Sequence, residues 1–124
     1  MAYRILVVDD NAPMRQIAVT MVRSLGHVAL EADGSASALD LMGQETPVDL
    51  VLMDIVMPGG MSGIELAEEM KRRGQANQIL FTSGFANLNQ AGTVAWNEKN
   101  LLTKPYRRAD LSKRIDMLLG PNPD

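Results

Sequence analysis

The sequence predicts an α/β fold in which a doubly wound parallel sheet of five strands is covered by five helices. Short apolar runs, typical of strands buried on both faces, alternate with segments whose apolar residues recur at helical spacing. Such alternation favours a parallel sheet with helices on both faces. The 124 residues suit one domain, expected over residues 1–120, with a short tail over residues 121–124.

The first half of the chain contains two predicted strands, each followed by a helix. The run Ile-Leu-Val-Val over residues 5–8 predicts a buried strand, and Pro13 and Gly26 are typical of the start and end of the next helix. A second strand over residues 27–31 is less apolar and is expected nearer an edge. A turn then leads into a short helix over residues 35–42. The apolar side of the first helix is expected to comprise Met14, Ile17, Met21 and Leu25.

The third strand and the helix after it have the clearest local signals. Residues 50–53 form a second strongly apolar run that ends at Asp54, and the glycine-rich segment that follows is predicted to be a loop. Ser62 and Glu65 have the spacing of a capping box, so a helix is expected to begin there. Gly74 is a typical helix end.

The last third of the chain is less regular. Residues 78–82 predict a fourth strand, and residues 100–104 predict a fifth strand that Pro105 ends. Between them, residues 85–97 are rich in poor helix formers, so we expect a short or weak helix. A final amphipathic helix is predicted from the spacing of Leu111, Ile115, Leu118 and Leu119.

Composition excludes several classes of function. The net charge is −3, from 12 basic and 15 acidic residues, which gives no general attraction to nucleic acid or anionic membranes. There is no cysteine for disulfides or thiolate metal sites, and no apolar run approaches the ~20 residues of a membrane helix. A cytoplasmic protein is therefore expected. We interpret the one histidine, His27, as a surface or strand-edge residue and not as a phosphodonor.

Polar side chains follow the predicted strands at the points where the strands end. Asp9 and Asp10 end the first strand, Asp54 the third, Thr82 the fourth and Lys104 the fifth. Parallel strands bring their carboxyl ends to one rim of the sheet, where ligands bind at the point at which strand order reverses. The five side chains are therefore expected to lie close together.

Three carboxylates in one place require a compensating cation. Two carboxylates about 5 Å apart repel by about 3 kcal/mol at an effective dielectric constant of about 20. Hard oxygen ligands suit Mg²⁺, and a carboxylate can accept a phosphoryl group. Phosphoryl transfer needs mainly alignment and charge neutralisation, which Mg²⁺ and Lys104 would supply, with a hydrogen bond from Thr82. The sequence predicts a phosphoryl acceptor site.

These residues resemble the receiver domain of two-component response regulators, from about Arg4 to Leu119. Four segments in order carry the resemblance, and they are Val-Val-Asp9-Asp10-Asn, Met-Asp54-Ile-Val-Met-Pro58, Thr82-Ser83-Gly84 and Lys104-Pro105. The resemblance implies the doubly wound fold with strand order 2-1-3-4-5, a fold of which a chemotaxis receiver is a standard example.

The resemblance also implies a magnesium site. Asp10 would bind Mg²⁺ directly, and Asp9 would bind it mainly through water. Asp54 and the backbone carbonyl of Val56 would be further ligands.

The same resemblance implies a role for each residue around the phosphoryl group. Asp54 would be the phosphoacceptor, and Lys104 would pair with the phosphoryl oxygens, with a cis bond to Pro105. Thr82 would hydrogen-bond the phosphoryl group and shift the loop after the fourth strand. The donor would be a histidine kinase or a histidine phosphotransfer protein. We expect a monomer or weak dimer that signals by protein contacts through residues 82–119 or relays the phosphoryl group onward.

Two features depart from the commonest receiver pattern. Many receivers have Tyr or Phe three residues before the lysine, where this chain has Leu101, which puts the usual threonine-to-aromatic switch in doubt. The loop after the third strand also has one extra residue, in the pair Gly59-Gly60. Both features, together with the segment Lys-Pro-Tyr106-Arg-Arg-Ala-Asp-Leu111, resemble receivers of hybrid sensor kinases and their free-standing relatives.

Two other functions are open at this point. A receiver-like module could bind partners without any phosphate on Asp54. A magnesium-dependent phosphohydrolase commonly has a second Asp two residues after its nucleophile, but that position is Val56. We therefore expect no enzyme activity beyond phosphorylation and dephosphorylation of the chain's own aspartate.

Overall fold

The computed structural model describes residues 3–44, 48–57, 61–74, 76–84 and 100–121. In these ranges five strands form one parallel sheet with the order β2-β1-β3-β4-β5, which confirms the predicted order. The elements in chain order are β1 (Arg4–Val8), α1 (Ala12–Ser24), β2 (Val28–Ala32), α2 (Ser35–Gln44), β3 (Val48–Asp54), α3 (Gly63–Arg73), β4 (Ala76–Ser83), β5 (Leu101–Thr103) and α4 (Arg108–Leu119).

Some predicted features fall outside the described residues. These are the helix over residues 85–97, the Gly59-Gly60 pair and all but the first residue of the tail over residues 121–124. The described ranges contain four helices, and none of these has both the length and the apolar character required to cross a membrane.

Apolar side chains cover both faces of the sheet. Along β1, Ile5 and Val7 join one cluster with buried residues of α1 and α4, while Leu6 and Val8 join another with buried residues of α2 and α3. All four side chains are at most 1% exposed. Each such side chain contributes roughly 1.5–3 kcal/mol through its burial. The continuous apolar run of β1 therefore marks a strand buried on both faces, as predicted.

The ends of α3 are as predicted from the sequence. The Ser62 hydroxyl accepts a hydrogen bond from the Glu65 backbone N–H (3.2 Å), and the Glu65 carboxylate accepts one from the Ser62 N–H (3.1 Å). Gly74 ends the helix with φ +68°, a left-handed conformation that glycine adopts without strain.

The predicted apolar side of α1 is wrong at its first two positions. Met14 and Ile17 are 38% and 50% exposed, while the buried residues of the helix are Ala18, Val19 and Val22. Small and β-branched side chains let the helix lie close to the sheet, so they form the contact face. The larger residues of the expected stripe, Met21 and Leu25, lie half-buried at its margin.

His27 is buried, so its interpretation as a surface residue is wrong, although it does precede the edge strand β2. Its Nδ1 accepts a hydrogen bond from the Tyr3 backbone N–H (3.2 Å), and the two rings lie 5.4 Å apart. The Tyr3 hydroxyl donates to the carbonyl of Leu119 (2.7 Å). Tyr3 therefore links His27, which precedes β2, to the end of α4, at the rim opposite the strands' carboxyl ends.

Protonation of His27 should destabilise the fold. Burial lowers the pKa of His27 below its usual 6.5, and the carboxylate of Asp116 offsets part of this effect. The unfolded chain therefore binds more protons in this range, so the free energy of unfolding should fall as the pH is lowered from about 7 to about 5. Denaturant titrations should show this slope reduced in His27→Gln and kept in Tyr3→Phe, which retains the backbone N–H donor. Equal slopes in the parent and His27→Gln would contradict the assignment.

Candidate functional site

The sheet brings the polar strand ends to one rim. Asp9 follows β1, Asp54 ends β3, and Lys104 follows β5. In the strand register Asp54 pairs with Thr82, and Val8 pairs with Met53. Strand order reverses between β1 and β3, so these side chains lie at the position where open α/β sheets bind ligands.

An ammonium group lies between two carboxylates at this rim. The Nζ of Lys104 is 2.7 Å from Asp54 Oδ2 and 3.6 Å from Asp9 Oδ2. All three side chains are at most 20% exposed, so water screens these charges less than it would at an open surface. The predicted convergence of Asp9, Asp54 and Lys104 is therefore correct, and Lys104 offsets the repulsion between the two acids.

Backbone N–H groups fix the other oxygen of each carboxylate. The N–H of Val56 donates to Asp54 Oδ1 (3.1 Å), and the N–H of Asn11 donates to Asp9 Oδ1 (3.0 Å). Each carboxylate is thus held through Oδ1 and directs Oδ2 towards Lys104. The nearby helix α1 is capped by Asn11, whose side chain accepts from the Met14 N–H, and not by either aspartate.

The site raises the pKa of Asp9. Burial is the main cause, and the charges of Asp54 and Asp10 act in the same direction. The hydrogen bond from Asn11 and the charge of Lys104 lower it in part. Asp10 is exposed, so it adds negative charge to the site from its solvent side.

The donor set fits a hard cation such as Mg²⁺. The carboxylates of Asp9, Asp10 and Asp54 and the carbonyl of Val56 offer only oxygen ligands, which Mg²⁺ prefers. Among the described residues, no three acidic or histidine side chains are already arranged as a metal site. The residues therefore match Mg²⁺ in the type of donor atom that they offer, and not in a coordination geometry that is already formed.

Thr82 and Lys104 are fixed by the backbone around them. Thr82 is buried, and its hydroxyl lies 3.5 Å from the carbonyl of Met53, a long hydrogen bond. The Lys104 N–H donates to the Ser83 carbonyl (2.8 Å), and the bond to Pro105 is cis, as predicted.

Tyr106 is a site residue that the sequence analysis did not single out. It is half-buried, two residues after Lys104, and packs against the apolar cluster beneath α1 and α4. Burial raises its pKa to about 12, with further contributions from the charges of Asp9 and Asp54. The sequence could have indicated this role, because Tyr106 directly follows the Lys-Pro pair at the end of a strand that reaches the site.

Gly63 is a second residue that the sequence analysis passed over. Its N–H donates to the Ile55 carbonyl (2.8 Å), and a Cβ at this position would lie 2.1 Å from the Asp54 backbone oxygen. The start of α3 therefore lies in direct contact with the backbone of Asp54 at the end of β3. Only glycine leaves room for this contact.

The chain belongs to the response regulator receiver family, because the family model of the response regulator receiver domain matches residues 5–116. It is similar to the response regulator receiver protein CpdR of Brucella abortus, at 35% identity over 94% of this chain and 96% of that protein.

Other relatives support the same assignment. The phosphate regulon transcriptional regulatory protein PhoB of Escherichia coli is 30% identical over 96% of this chain, which spans about half (52%) of that relative. A solved receiver domain protein of Clostridium thermocellum superposes with a TM-score of 0.83 at 25% identity, over 96% of this chain and 94% of that one.

Replacing Gly63 with alanine should destabilise the fold. The added methyl group must displace the backbone at Asp54, and overpacking of this kind costs about 1–3 kcal/mol. The control is Gly43→Ala in α2, where a Cβ meets nothing within 4 Å and should stabilise by about 0.5–1 kcal/mol. Chemical denaturation of both variants measures the difference. If Gly63→Ala were as stable as the parent, the end of β3 would be able to move away from the added methyl group at no cost in free energy, which would contradict the prediction.

Removing the Lys104 charge should also lower stability. Lys104→Met leaves two carboxylates uncompensated, and for a partly buried group we expect a loss of about 1–3 kcal/mol without metal at pH 7. Since Lys104 lowers the pKa of Asp9, that pKa should rise, and the deficit should shrink as acid protonates Asp9. The control is the exposed Lys113→Met, which should change little. Denaturation curves over a pH series test this, and a deficit independent of pH would contradict it.

Proposed function

We propose that this receiver accepts a phosphoryl group on Asp54 from a phosphohistidine. The observation that carries the proposal is the Asp54 carboxylate, held by the Val56 N–H and 2.7 Å from the Lys104 ammonium at the switch point of the sheet. In the transfer, the phosphorus–nitrogen bond of the donor breaks and a bond to an Asp54 carboxylate oxygen forms. The donor ring leaves as neutral imidazole, with the proton it needs taken from solvent, because the attacking carboxylate of Asp54 carries none.

Each surrounding residue has a task in this transfer. Lys104, already paired with Asp54, balances the charge of the incoming phosphoryl oxygens. The Thr82 hydroxyl, whose bond to the Met53 carbonyl is long, is available to the phosphoryl group. Asp9, Asp10, Asp54 and the carbonyl of Val56 would hold Mg²⁺, which supplies charge neutralisation when bound.

The proposal includes the partners and the place of action. A histidine kinase or histidine phosphotransfer protein would donate the phosphoryl group, and the protein would signal by protein contacts or relay the group onward. The only chemistry proposed for the chain is phosphorylation and dephosphorylation of its own aspartate. With a net charge of −3 and no cysteine, the chain suits the cytoplasm and gives no general attraction to nucleic acid or membranes.

Phosphorylation of Asp54 can be tested with a small-molecule phosphodonor and Mg²⁺, followed by intact mass measurement. The parent should gain the mass of one phosphoryl group, lose it in hydroxylamine as acyl phosphates do, and gain nothing when Mg²⁺ is chelated. Asp54→Asn should remain unmodified. Asp40→Asn, which removes an exposed carboxylate of α2, should behave as the parent does.

Two outcomes would count against phosphorylation of Asp54. An unmodified parent whose partner binding matches that of Asp54→Asn would favour a phosphate-independent interaction module. Turnover of a generic phosphomonoester would favour a phosphohydrolase.

A further inference from the structure

Arg15 of α1 is directed towards the turn that carries the two aspartates after β1. Its Nη1 donates to the backbone carbonyl of Asp9 (2.8 Å), and its Nε pairs with Glu31 Oε1 (3.2 Å). Gln16, the next residue of α1, also donates to Glu31 Oε1 (2.6 Å). The Arg15 side chain is 16% exposed, so it lies along the protein and does not extend into solvent.

These contacts fix the peptide bond that joins Asp9 to Asp10. Arg15 holds its carbonyl oxygen, while the preceding N–H of Asp9 donates to the Ala32 carbonyl of β2 (3.2 Å). On the other side, the Asp9 carboxylate accepts from the Asn11 N–H. The directions in which both aspartate side chains leave the backbone are therefore set from α1, from β2 and from within the turn.

The geometry suits arginine and would not suit lysine. The planar guanidinium presents several N–H groups in a fixed arrangement, which lets it reach a carbonyl and a carboxylate at once. A lysine ammonium in the same place has one nitrogen and cannot span both acceptors. Arg23 of the same helix is exposed, which provides an internal comparison.

The Arg15–Glu31 pair, which together with the Asp9 carbonyl we call the clamp, borders an open, polar cavity of about 380 Å³. It is lined by Arg15, Glu31, Ala32, Asp33 and Ser37. Because water can enter the space that a shortened side chain leaves, substitutions at Arg15 should be tolerated without loss of the fold. An effect on the site can therefore be separated from an effect on stability.

We propose that Arg15 is a positioning residue for the acidic site. Through its bonds to the Asp9 carbonyl and to Glu31, it holds the Asp9–Asp10 peptide, which is the backbone from which the two carboxylates that would bind the cation extend. This proposal rests on the proposed function, in which these acids hold Mg²⁺. Groups that orient metal ligands from behind typically account for 10–100-fold in metal affinity.

Calorimetric titration with Mg²⁺ alone tests the proposal on the full chain. Arg15→Met should weaken Mg²⁺ binding about tenfold, whereas Arg23→Met should bind as the parent does. Arg15→Lys, which keeps a donor for the Asp9 carbonyl, should restore part of the affinity. Glu31→Ala should weaken binding, and its effect should not add to that of Arg15→Met because the two residues share one clamp.

Two further measurements separate positioning from stability. Amide hydrogen exchange at Asp10 and Asn11 should speed up in Arg15→Met, while the metal-free melting temperature stays close to that of the parent. Phosphorylation by a small-molecule donor should recover at saturating Mg²⁺, because the defect lies in cation binding.

The possible failures are distinguishable. If the parent itself does not bind Mg²⁺, the proposed function fails and the positioning role fails with it. If the parent binds Mg²⁺ and Arg15→Met binds it equally well, the positioning role is overturned while the proposed function stands.

Discussion

The pairing of one lysine with two aspartates is the interaction on which the site depends. Neighbouring strands lie about 4.8 Å apart, so Lys104 at the end of β5 must reach across β4, over roughly 10 Å, to meet Asp54 at the end of β3. Only a long cationic side chain can span this distance. The bond from its backbone N–H to Ser83 anchors the base of that side chain at the rim. The edge strand β5 thus supplies the positive charge that offsets the carboxylates at the ends of β1 and β3.

The two apolar clusters give this rim its rigidity. Because β1 and β3 are buried on both faces, neither strand can shift along its neighbour without moving a complete layer of side chains. Gly63 adds a constraint at the end of β3, since α3 begins in direct contact with the Asp54 backbone. Polar groups therefore occur where the apolar layers end, in positions that the layers themselves determine. The carboxylates can then be held near one another at the cost of a raised pKa at Asp9.

The sequence predicts the features that depend on neighbours along the chain. Apolar runs mark strands buried on both faces, and the capping box at Ser62 depends only on residues three apart. The polar residues that end the strands were also readable, since parallel topology brings them to one rim. Contacts set by distant parts of the chain were not readable. His27 is buried because Tyr3 lies against it, and Met14 is exposed because smaller residues of α1 fit the sheet more closely.

This chain has no aromatic residue at position 101, where many receivers have one, but it has a tyrosine near the acidic site at position 106. Leu101 occupies the position of the usual aromatic residue and is half-buried against the cluster beneath α2 and α3. It carries no charge or dipole with which to respond to the acids. Tyr106 packs on the opposite cluster, where burial raises its pKa and the charges of Asp9 and Asp54 raise it further. The charge of Asp54 therefore influences the ionisation of the Tyr106 hydroxyl, whereas Leu101 has no group that ionises.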